Sequence, residues 1–361
     1  MLTPYSPILS PSRWEFEGKK RVREQVCILS VLSTFACFMF IAPRAIAQDP
    51  PDAPALKTGD KADILFVASA PGTKVDENGK PALGTLDPIA FFVGSEIRGC
   101  AAAQPAPGED SVPKIAIQTL NRAYASGRRY PLWWGGSPCG EAEAVRSCID
   151  ESGGDYLDLV GCFRLHPDST HPAAPNDFKG TVWTGSAVVA SHTALRVKAN
   201  SEERASFLRA ASDAFAARHV RIAPASIHVG VIWKTQLRAA HTALAGNTLV
   251  QLASKTPLTF YSYRVFLVVE EDGGTFLPVL SHFHRATIRL ESVADLPKVG
   301  TLLDEDNDAD KESFLDNFPL FPGEPDSIIS EHTYYESWSY SIYRRVGADY
   351  HLLYTGCGGG T

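Results

Sequence analysis

Apolar residues spaced three and four positions apart indicate one helical segment in the middle of the chain. Between residues 202 and 218 this spacing predicts an amphipathic helix that packs through a single face. Ser201 is suited to cap the helix N-terminus, and Glu202 and Glu203 suit the positive end of the helix dipole. The apolar face is formed by Phe207, Leu208, Ala211, Ala214 and Phe215. We therefore expect one clear helix at about 202–218.

Two pairs of β-type segments, each joined by a turn sequence, predict β-hairpins after this helix. Residues 261–270 and 275–284 flank a turn sequence with two consecutive glycines. Residues 333–345 and 350–354 flank a second turn, which contains Gly347. Both pairs predict antiparallel strands.

Serine alternates with larger side chains near the C-terminus. Ser337, Ser339 and Ser341 fall on one face of the predicted strand. The other face carries Tyr334, Trp338, Tyr340 and Ile342. This alternation predicts a half-buried sheet with one face in water.

The remaining elements complete a fold that is mostly strand. A short helix is predicted at 114–125, and Gly246-Asn247 predicts a turn. Together the elements indicate an α+β fold, predominantly antiparallel β, in which the 202–218 helix is followed by hairpins. We place a domain boundary near Asn200, between a β-rich N-terminal domain at 61–199 and a helix-plus-antiparallel-β domain at 200–361. The other predicted strands are 64–67, 89–93, 130–134, 157–165, 181–190, 227–233 and 248–252.

The first 47 residues have the order of features of a secretory signal peptide. A basic cluster at 19–23 precedes an uncharged apolar run at 26–42, and small residues precede a cleavage point after Ala47. The run of 17 residues is at the lower limit for spanning a bilayer, so a retained N-terminal anchor is the alternative. Cleavage would leave residues 48–60 as a Pro-rich linker and would give a secreted or periplasmic protein.

The charge of the mature chain limits its partners. Residues 1–47 hold six of the 34 basic and three of the 41 acidic residues, which leaves 28 and 38 and a net charge of −10. An acidic protein of this kind is not expected to bind nucleic acid or anionic membrane surfaces. Membrane association is expected only if the N-terminal segment is retained as an anchor. The expected partner is an unidentified extracellular or envelope ligand.

Five cysteines follow the signal segment: Cys100, Cys139, Cys148, Cys162 and Cys357. Disulfides are expected in an exported protein, and an odd number leaves at least one thiol free or paired between chains. Cys139 and Cys148 are the closest pair in sequence, so we expect that bond first. Because no two cysteines have C-x-x-C spacing, metal binding by cysteine is not predicted.

An acidic loop at 304–312 is the most specific segment of the mature chain. Its carboxylates alternate, so they can turn inward around a hard cation that takes six to eight oxygens. This arrangement predicts a calcium ion that stabilises the fold, and a solvated acidic loop is the alternative. The ligands would be the side chains of Asp304, Asp306 and Asp308, the backbone carbonyl of Asp310 and the carboxylate of Glu312.

The spacing of acidic residues at 304–312 resembles the calcium loop of FG-GAP and VCBS-type repeat modules, which are found in uncharacterised exported bacterial proteins. Such repeats occur in secreted and surface proteins, often as propeller blades. The resemblance covers residues 200–361 and implies calcium as the cofactor. The chain departs from the pattern at Ala309, where glycine normally permits the sharp turn. Leu315 stands where an EF-hand needs a bidentate glutamate, which excludes a full EF-hand.

The sequence His282-x-His284 places two imidazoles on one strand face, a spacing that zinc can use. No third ligand follows from the sequence. His332 and His351 are candidates because they lie near later predicted strands. Histidines on a wet strand surface are the commoner arrangement.

Function is predicted only in outline, because no catalytic sequence signature occurs in the chain. We expect an exported, non-enzymatic binding or structural module at the cell envelope or outside the cell, with calcium in the acidic loop. One alternative is a secreted hydrolase whose site is assembled from distant residues. The other is a carbohydrate-binding module with an exposed aromatic platform near Trp133-Trp134 or Trp338.

Overall fold

All strand pairs of the described chain are antiparallel, and they form three sheets. The computed structural model describes residues 53–54, 56–57, 59–70, 83–99, 114–134, 137–153, 156–167, 179–185, 194–237, 241–253, 258–289, 311–321, 323–333 and 338–356, all within one compact unit, Asp49–Thr361. Two α-helices accompany the strands in these residues, so the predicted α+β, mainly antiparallel fold is confirmed. The predicted signal peptide at 1–47 lies outside the described residues, as does about half of the linker at 48–60.

The first sheet closes on itself. Its strands follow the order β1-β7-β4-β5-β6-β2-β3, and β1 also pairs with β2, which completes a ring of six strands. The helix α1 (Lys114–Ala123) contributes Leu120 to the core of this ring. The strands are β1 (Asp63–Ser69), β2 (Gly84–Val93), β3 (Glu96–Arg98), β4 (Arg129–Trp134), β5 (Ser137–Gly153), β6 (Tyr156–Pro167) and β7 (Lys179–Trp183).

The core of the closed sheet includes a tyrosine that follows α1. A Cβ atom on Gly161 of β6 would lie 2.4 Å from the ring of Tyr124, so only glycine leaves room for this ring. The buried Tyr124 hydroxyl donates a hydrogen bond to the carbonyl of Leu86 at 3.2 Å. The helix is thereby fixed against the strands that follow and precede it.

The second sheet is covered on one face by the predicted helix. Its strand order is β12-β11-β10-β9-β8, and helix α2 (Glu202–Ala217) packs on it through Phe207, Ala211 and Phe215. The Ser201 side chain accepts a hydrogen bond from the Arg204 backbone N–H at 3.2 Å, so both helix and cap are confirmed. Neither helix in the described part of the chain is long and apolar enough to cross a membrane. The strands are β8 (Leu195–Arg196), β9 (His228–Leu237), β10 (His241–Ala253), β11 (Thr259–Asp272) and β12 (Thr275–Arg289).

The predicted hairpin of β11 and β12 is confirmed. Asp272 pairs with Thr275, so the two strands are joined by Gly273 and Gly274 alone. These glycines have φ angles of 56° and 84°. Two consecutive positive φ angles are what a two-residue type I′ turn requires, and glycine adopts them without strain.

The third sheet lies between the other two. It consists of β13 (Lys311–Phe318), β14 (Ser327–Thr333), β15 (Trp338–Val346) and β16 (Asp349–Gly356), in that order. One face, including Ile342, packs on the outer side of the closed sheet, and the other face, including Tyr343, packs on the second sheet. Residues from both sides of the predicted boundary near Asn200 therefore contribute to shared cores. The predicted last hairpin is confirmed as β15 and β16.

Gly246 and Asn247 do not form the predicted turn. They lie inside β10, and the pairing register with β9 shifts between Gly246 and Thr248. A Cβ atom on Gly246 would lie 3.0 Å from the Val231 carbonyl oxygen and 3.2 Å from the Phe207 ring. The prediction was wrong because this glycine permits a β-bulge and the close approach of α2, rather than a chain reversal.

Among the described residues a disulfide joins Cys148 to Cys162, so the expected Cys139–Cys148 bond is wrong. Cys139 and Cys148 lie nine positions apart on the single strand β5, a separation of about 30 Å in extended chain. Strand β6 returns beside β5 and brings the Cα of Cys162 to 5.7 Å from that of Cys148. Cys139 is a buried free thiol. Cys100 and Cys357 lie outside the described residues.

Candidate metal centre

Two histidines and a glutamate meet where the edge strand of the second sheet faces the third sheet. Strand β12 places His282 and His284 on the same face, because side chains two positions apart in a strand point the same way. Strand β13 contributes Glu312. One ligand atom from each of the three side chains lies within 4.8 Å of the other two. The third residue of the group, Glu312, therefore lies 28 positions after His284 along the chain.

The two oxygens of the Glu312 carboxylate have different partners. Oε1 accepts hydrogen bonds from the Ser330 hydroxyl at 2.5 Å and from the Tyr343 hydroxyl at 2.6 Å. Oε2 lies 2.7 Å from Nδ1 of His282 and 3.7 Å from Nε2 of His284. The carboxylate is thus held through one oxygen, while the other oxygen faces the histidines.

The ionisation of these groups follows from their surroundings. Burial alone would raise the pKa of the Glu312 carboxyl, but its interactions with His282 and His284 and the hydrogen bond from Ser330 hold the pKa well below its usual range. Burial, and then the negative charge of Glu312, raises the pKa of Tyr343 well above its usual value. Near neutral pH the site therefore contains a carboxylate and a protonated phenol, and the phenol is the donor.

The distances at this site are close to those of a metal site. Zinc binds histidine nitrogen and carboxylate oxygen at about 2.0–2.1 Å, so two ligand atoms on one tetrahedral ion lie about 3.4 Å apart. The separations of 2.7 and 3.7 Å from Oε2 of Glu312 to the two imidazoles fall on either side of that value. The three ligand atoms all lie within 4.8 Å of one another, so the side chains would have to adjust their positions to share one ion. The set of two imidazoles and one carboxylate suits zinc and related transition metals.

Further polar groups surround the three residues. His332 lies opposite Glu312 in the pairing of β13 and β14 and is only 3% exposed. The Asn247 side chain donates a hydrogen bond to the Glu312 backbone carbonyl at 2.7 Å, which ties β10 to β13. Arg264 is buried and lies opposite His284 in the pairing of β11 and β12, so it adds a permanent positive charge on this face of the sheet.

The serine-rich face of β15 is buried, contrary to the prediction of a wet side. Ser341 is 1% exposed, and its hydroxyl lies 3.1 Å from that of Thr355. Ser339 lies opposite His332 in the pairing of β14 and β15, and its hydroxyl oxygen is shielded from solvent. The prediction failed because an alternation of serine and aromatic residues does not distinguish water from a second, partly polar protein surface. The alternating serines of β15 were therefore the sequence feature that indicated a polar site inside the fold.

The predicted calcium ligands are described at one position only. Asp304, Asp306, Asp308 and Asp310 lie outside the described residues. Glu312, the fifth predicted ligand, lies in β13 with its carboxylate turned toward the two histidines. The predicted calcium site stays a prediction, and Glu312 serves the histidine cluster in this structure.

The other candidate residues from the sequence do not join a common site. His351 is exposed on β16 and lies opposite Arg344 in the pairing of β15 and β16. Trp133 is 6% exposed and belongs to the interior. Trp134 packs edge-on against Trp233, with ring centroids 6.0 Å apart and planes at 80°. Neither Trp133 nor Trp134 therefore contributes to a coplanar exposed platform.

The resemblance of the acidic loop to FG-GAP and VCBS-type modules remains a prediction, since residues 304–310 lie outside the described part of the chain. The histidine cluster is formed by His282, His284 and Glu312, and none of these residues belongs to the segment 304–310. No family model, no curated protein and no solved structure matches this chain.

Proposed function

We propose that this protein binds a divalent transition metal ion of the zinc class through His282, His284 and Glu312. The observation that carries the proposal is the approach of Oε2 of Glu312 to both imidazoles, at 2.7 and 3.7 Å. Two imidazoles and one carboxylate supply three ligands of the type that zinc prefers. Calcium is a poorer occupant, because it takes six to eight oxygen ligands.

The surroundings of the site support this assignment. Ser330 and Tyr343 occupy one oxygen of Glu312 and so orient the other toward the histidines. Hydrogen-bonded partners of this kind orient the ligands at metal sites. A buried ionised carboxylate also requires compensating positive charge, and a divalent cation held between Glu312 and the two imidazoles would supply it directly.

The proposed role is that of a non-enzymatic, metal-stabilised module. The ligands come from β12 and β13, which belong to two different sheets, so an ion would join these sheets. Location at the cell envelope or outside the cell, with cleavage of residues 1–47, remains part of the proposal. The Cys148–Cys162 disulfide supports it, because disulfides persist mainly in oxidising compartments.

A serine hydrolase at this position is less well supported. Ser330, His282 and Glu312 do lie together, which is the arrangement expected of a site assembled from distant residues. In a catalytic relay, however, the serine hydroxyl bonds to the histidine, and the carboxylate orients that histidine from its other side. The Ser330 hydroxyl instead donates to the Glu312 carboxylate. The serine therefore serves to position the carboxylate.

The proposal is tested by titrating chelator-treated protein with zinc in a calorimeter and by measuring its thermal unfolding with and without the ion. We expect one zinc ion per chain and a rise in unfolding temperature. An ion present at 100 times its dissociation constant adds about 2.7 kcal/mol to the free energy of unfolding.

Glu312→Gln removes the ligand charge with little change in shape, and we expect it to abolish both effects of zinc. The matched control is Glu331→Gln on the neighbouring strand, whose carboxylate pairs with Lys179 on the opposite face. Loss of zinc binding in Glu312→Gln but not in Glu331→Gln supports the site. Absence of stoichiometric binding to the wild type, or equal effects of the two substitutions, overturns it.

A further inference from the structure

We infer that His332 is a fourth protein ligand, which makes the site a closed structural centre joining the second and third sheets. The inference rests on the metal site proposed above. It concerns the number of ligands and hence the class of site, since structural zinc is held by four protein ligands and catalytic zinc by three.

The strand pairing places His332 at the site. Residues directly opposite each other in an antiparallel pair share a face, with Cβ atoms about 4.5–5.5 Å apart. His332 lies opposite Glu312 in this way, so its side chain leaves β14 on the side that faces His282 and His284 of β12. At 3% exposure the imidazole is held inside the protein.

The ring separations agree with three imidazoles around one centre. The centroid of the His284 ring lies 4.5 Å from that of His282 and 4.5 Å from that of His332. The His282 and His332 centroids are 6.4 Å apart. With nitrogen–zinc distances of about 2.0–2.1 Å, imidazoles on one tetrahedral ion have centroids about 5 Å apart. Two pairs are already within that distance, and the His282 and His332 rings, at 6.4 Å, would have to move closer together to share one ion.

The donor count supports a closed site. Because Ser330 and Tyr343 donate to Oε1 of Glu312, this carboxylate offers one oxygen to an ion. Glu312 with His282 and His284 would leave one tetrahedral position open, and His332 is a buried imidazole whose ring centroid lies 4.5 Å from that of His284. Three nitrogens and one oxygen then complete the coordination. Two ligands come from the second sheet and two from the third.

The first experiment uses the wild-type chain loaded with one equivalent of zinc and measured by X-ray absorption at the zinc edge. The multiple-scattering pattern of imidazole reports how many histidines bind. We expect three imidazoles and one oxygen in a four-coordinate site. Two imidazoles with further oxygens, or a coordination number of five or six, overturns the inference while leaving zinc binding intact. A chain that binds no zinc overturns the proposed metal site and this inference together.

The second experiment compares His332→Gln with His351→Gln. His351 is an exposed histidine on β16 and serves as the matched control. Loss of an outer-shell partner typically weakens metal binding by 10–100-fold, so a true ligand should cost more than about 100-fold in zinc affinity. We also expect the visible spectrum of the cobalt-substituted protein to change in His332→Gln and to stay the same in His351→Gln. Unchanged affinity and spectrum in His332→Gln, in protein with wild-type circular dichroism, contradicts the inference. The absorption experiment on wild-type protein decides the question if this variant does not fold.

Discussion

Replacing Tyr343 with phenylalanine tests the hydrogen bonding of the buried carboxylate. The substitution removes one hydroxyl group and keeps the ring that packs beside Phe266, with centroids 6.2 Å apart. The lost hydroxyl donates to the ionised Glu312 at 2.6 Å and also lies 2.9 Å from Nδ1 of His282. A hydrogen bond to a charged group contributes about 1.5–3 kcal/mol to stability. Because Ser330 still donates to the same oxygen, we expect the free energy of unfolding of metal-free protein to fall by about 2 kcal/mol.

The measurement is urea unfolding near pH 7 in the presence of a chelator. We expect the slope of free energy against urea concentration to be the same in the variant and the wild type. Tyr124→Phe is the control, since its buried hydroxyl donates to the neutral carbonyl of Leu86 at 3.2 Å. A bond to a neutral acceptor contributes about 1 kcal/mol. If Tyr343→Phe costs no more than Tyr124→Phe, the reasoning that Glu312 is a buried, ionised acceptor is refuted.

Three further predictions concern the core and the disulfide. Burial raises the pKa of the Cys139 thiol from 9.0 to about 12, so the unfolded thiol loses its proton first as the pH rises. The free energy of unfolding of wild type should therefore fall between pH 9 and 12 relative to Cys139→Ala, and parallel curves would contradict this. Replacing both Cys148 and Cys162 with serine opens a loop of about 15 residues and should cost about 3 kcal/mol in urea unfolding, and a cost below about 1 kcal/mol would contradict the disulfide. Gly246→Ala should destabilise the protein by about 1–3 kcal/mol through overpacking, whereas Gly230→Ala, with its nearest contact at 3.7 Å, should cost less.

Local sequence signals were sufficient for several elements of the fold. The helix at Glu202–Ala217 follows from its own spacing and from the Ser201 cap, and the β11–β12 hairpin follows from two adjacent glycines. Each of these elements is specified by contacts within about twenty residues. The pairing of whole sheets depends on contacts between distant residues, so the position of the third sheet between the other two had no local signal.

The candidate site was visible only in part for the same reason. His282 and His284 share a strand, so their spacing indicated a pair of ligands. The alternating carboxylates predict Glu312 as the last ligand of the acidic loop, and the structure places it in β13 facing β12. Tyr343 and Ser330 gave no individual signal, since an aromatic residue and a serine in a strand have many roles. Their function follows from the packing of two sheets on one another.

The position of the third sheet has a consequence for the order in which the chain folds. Its strands come last along the chain, yet they supply one wall of each core between sheets. As the chain is synthesised, the outer side of the closed sheet, with Leu65 and Phe92, stays uncovered until β13–β16 arrive. Contacts between residues this far apart in sequence make folding slow and expose apolar surface in partly made chains. A protein built in this way completes its fold only after its last hairpin can pair, and until then apolar surface on the closed sheet stays exposed.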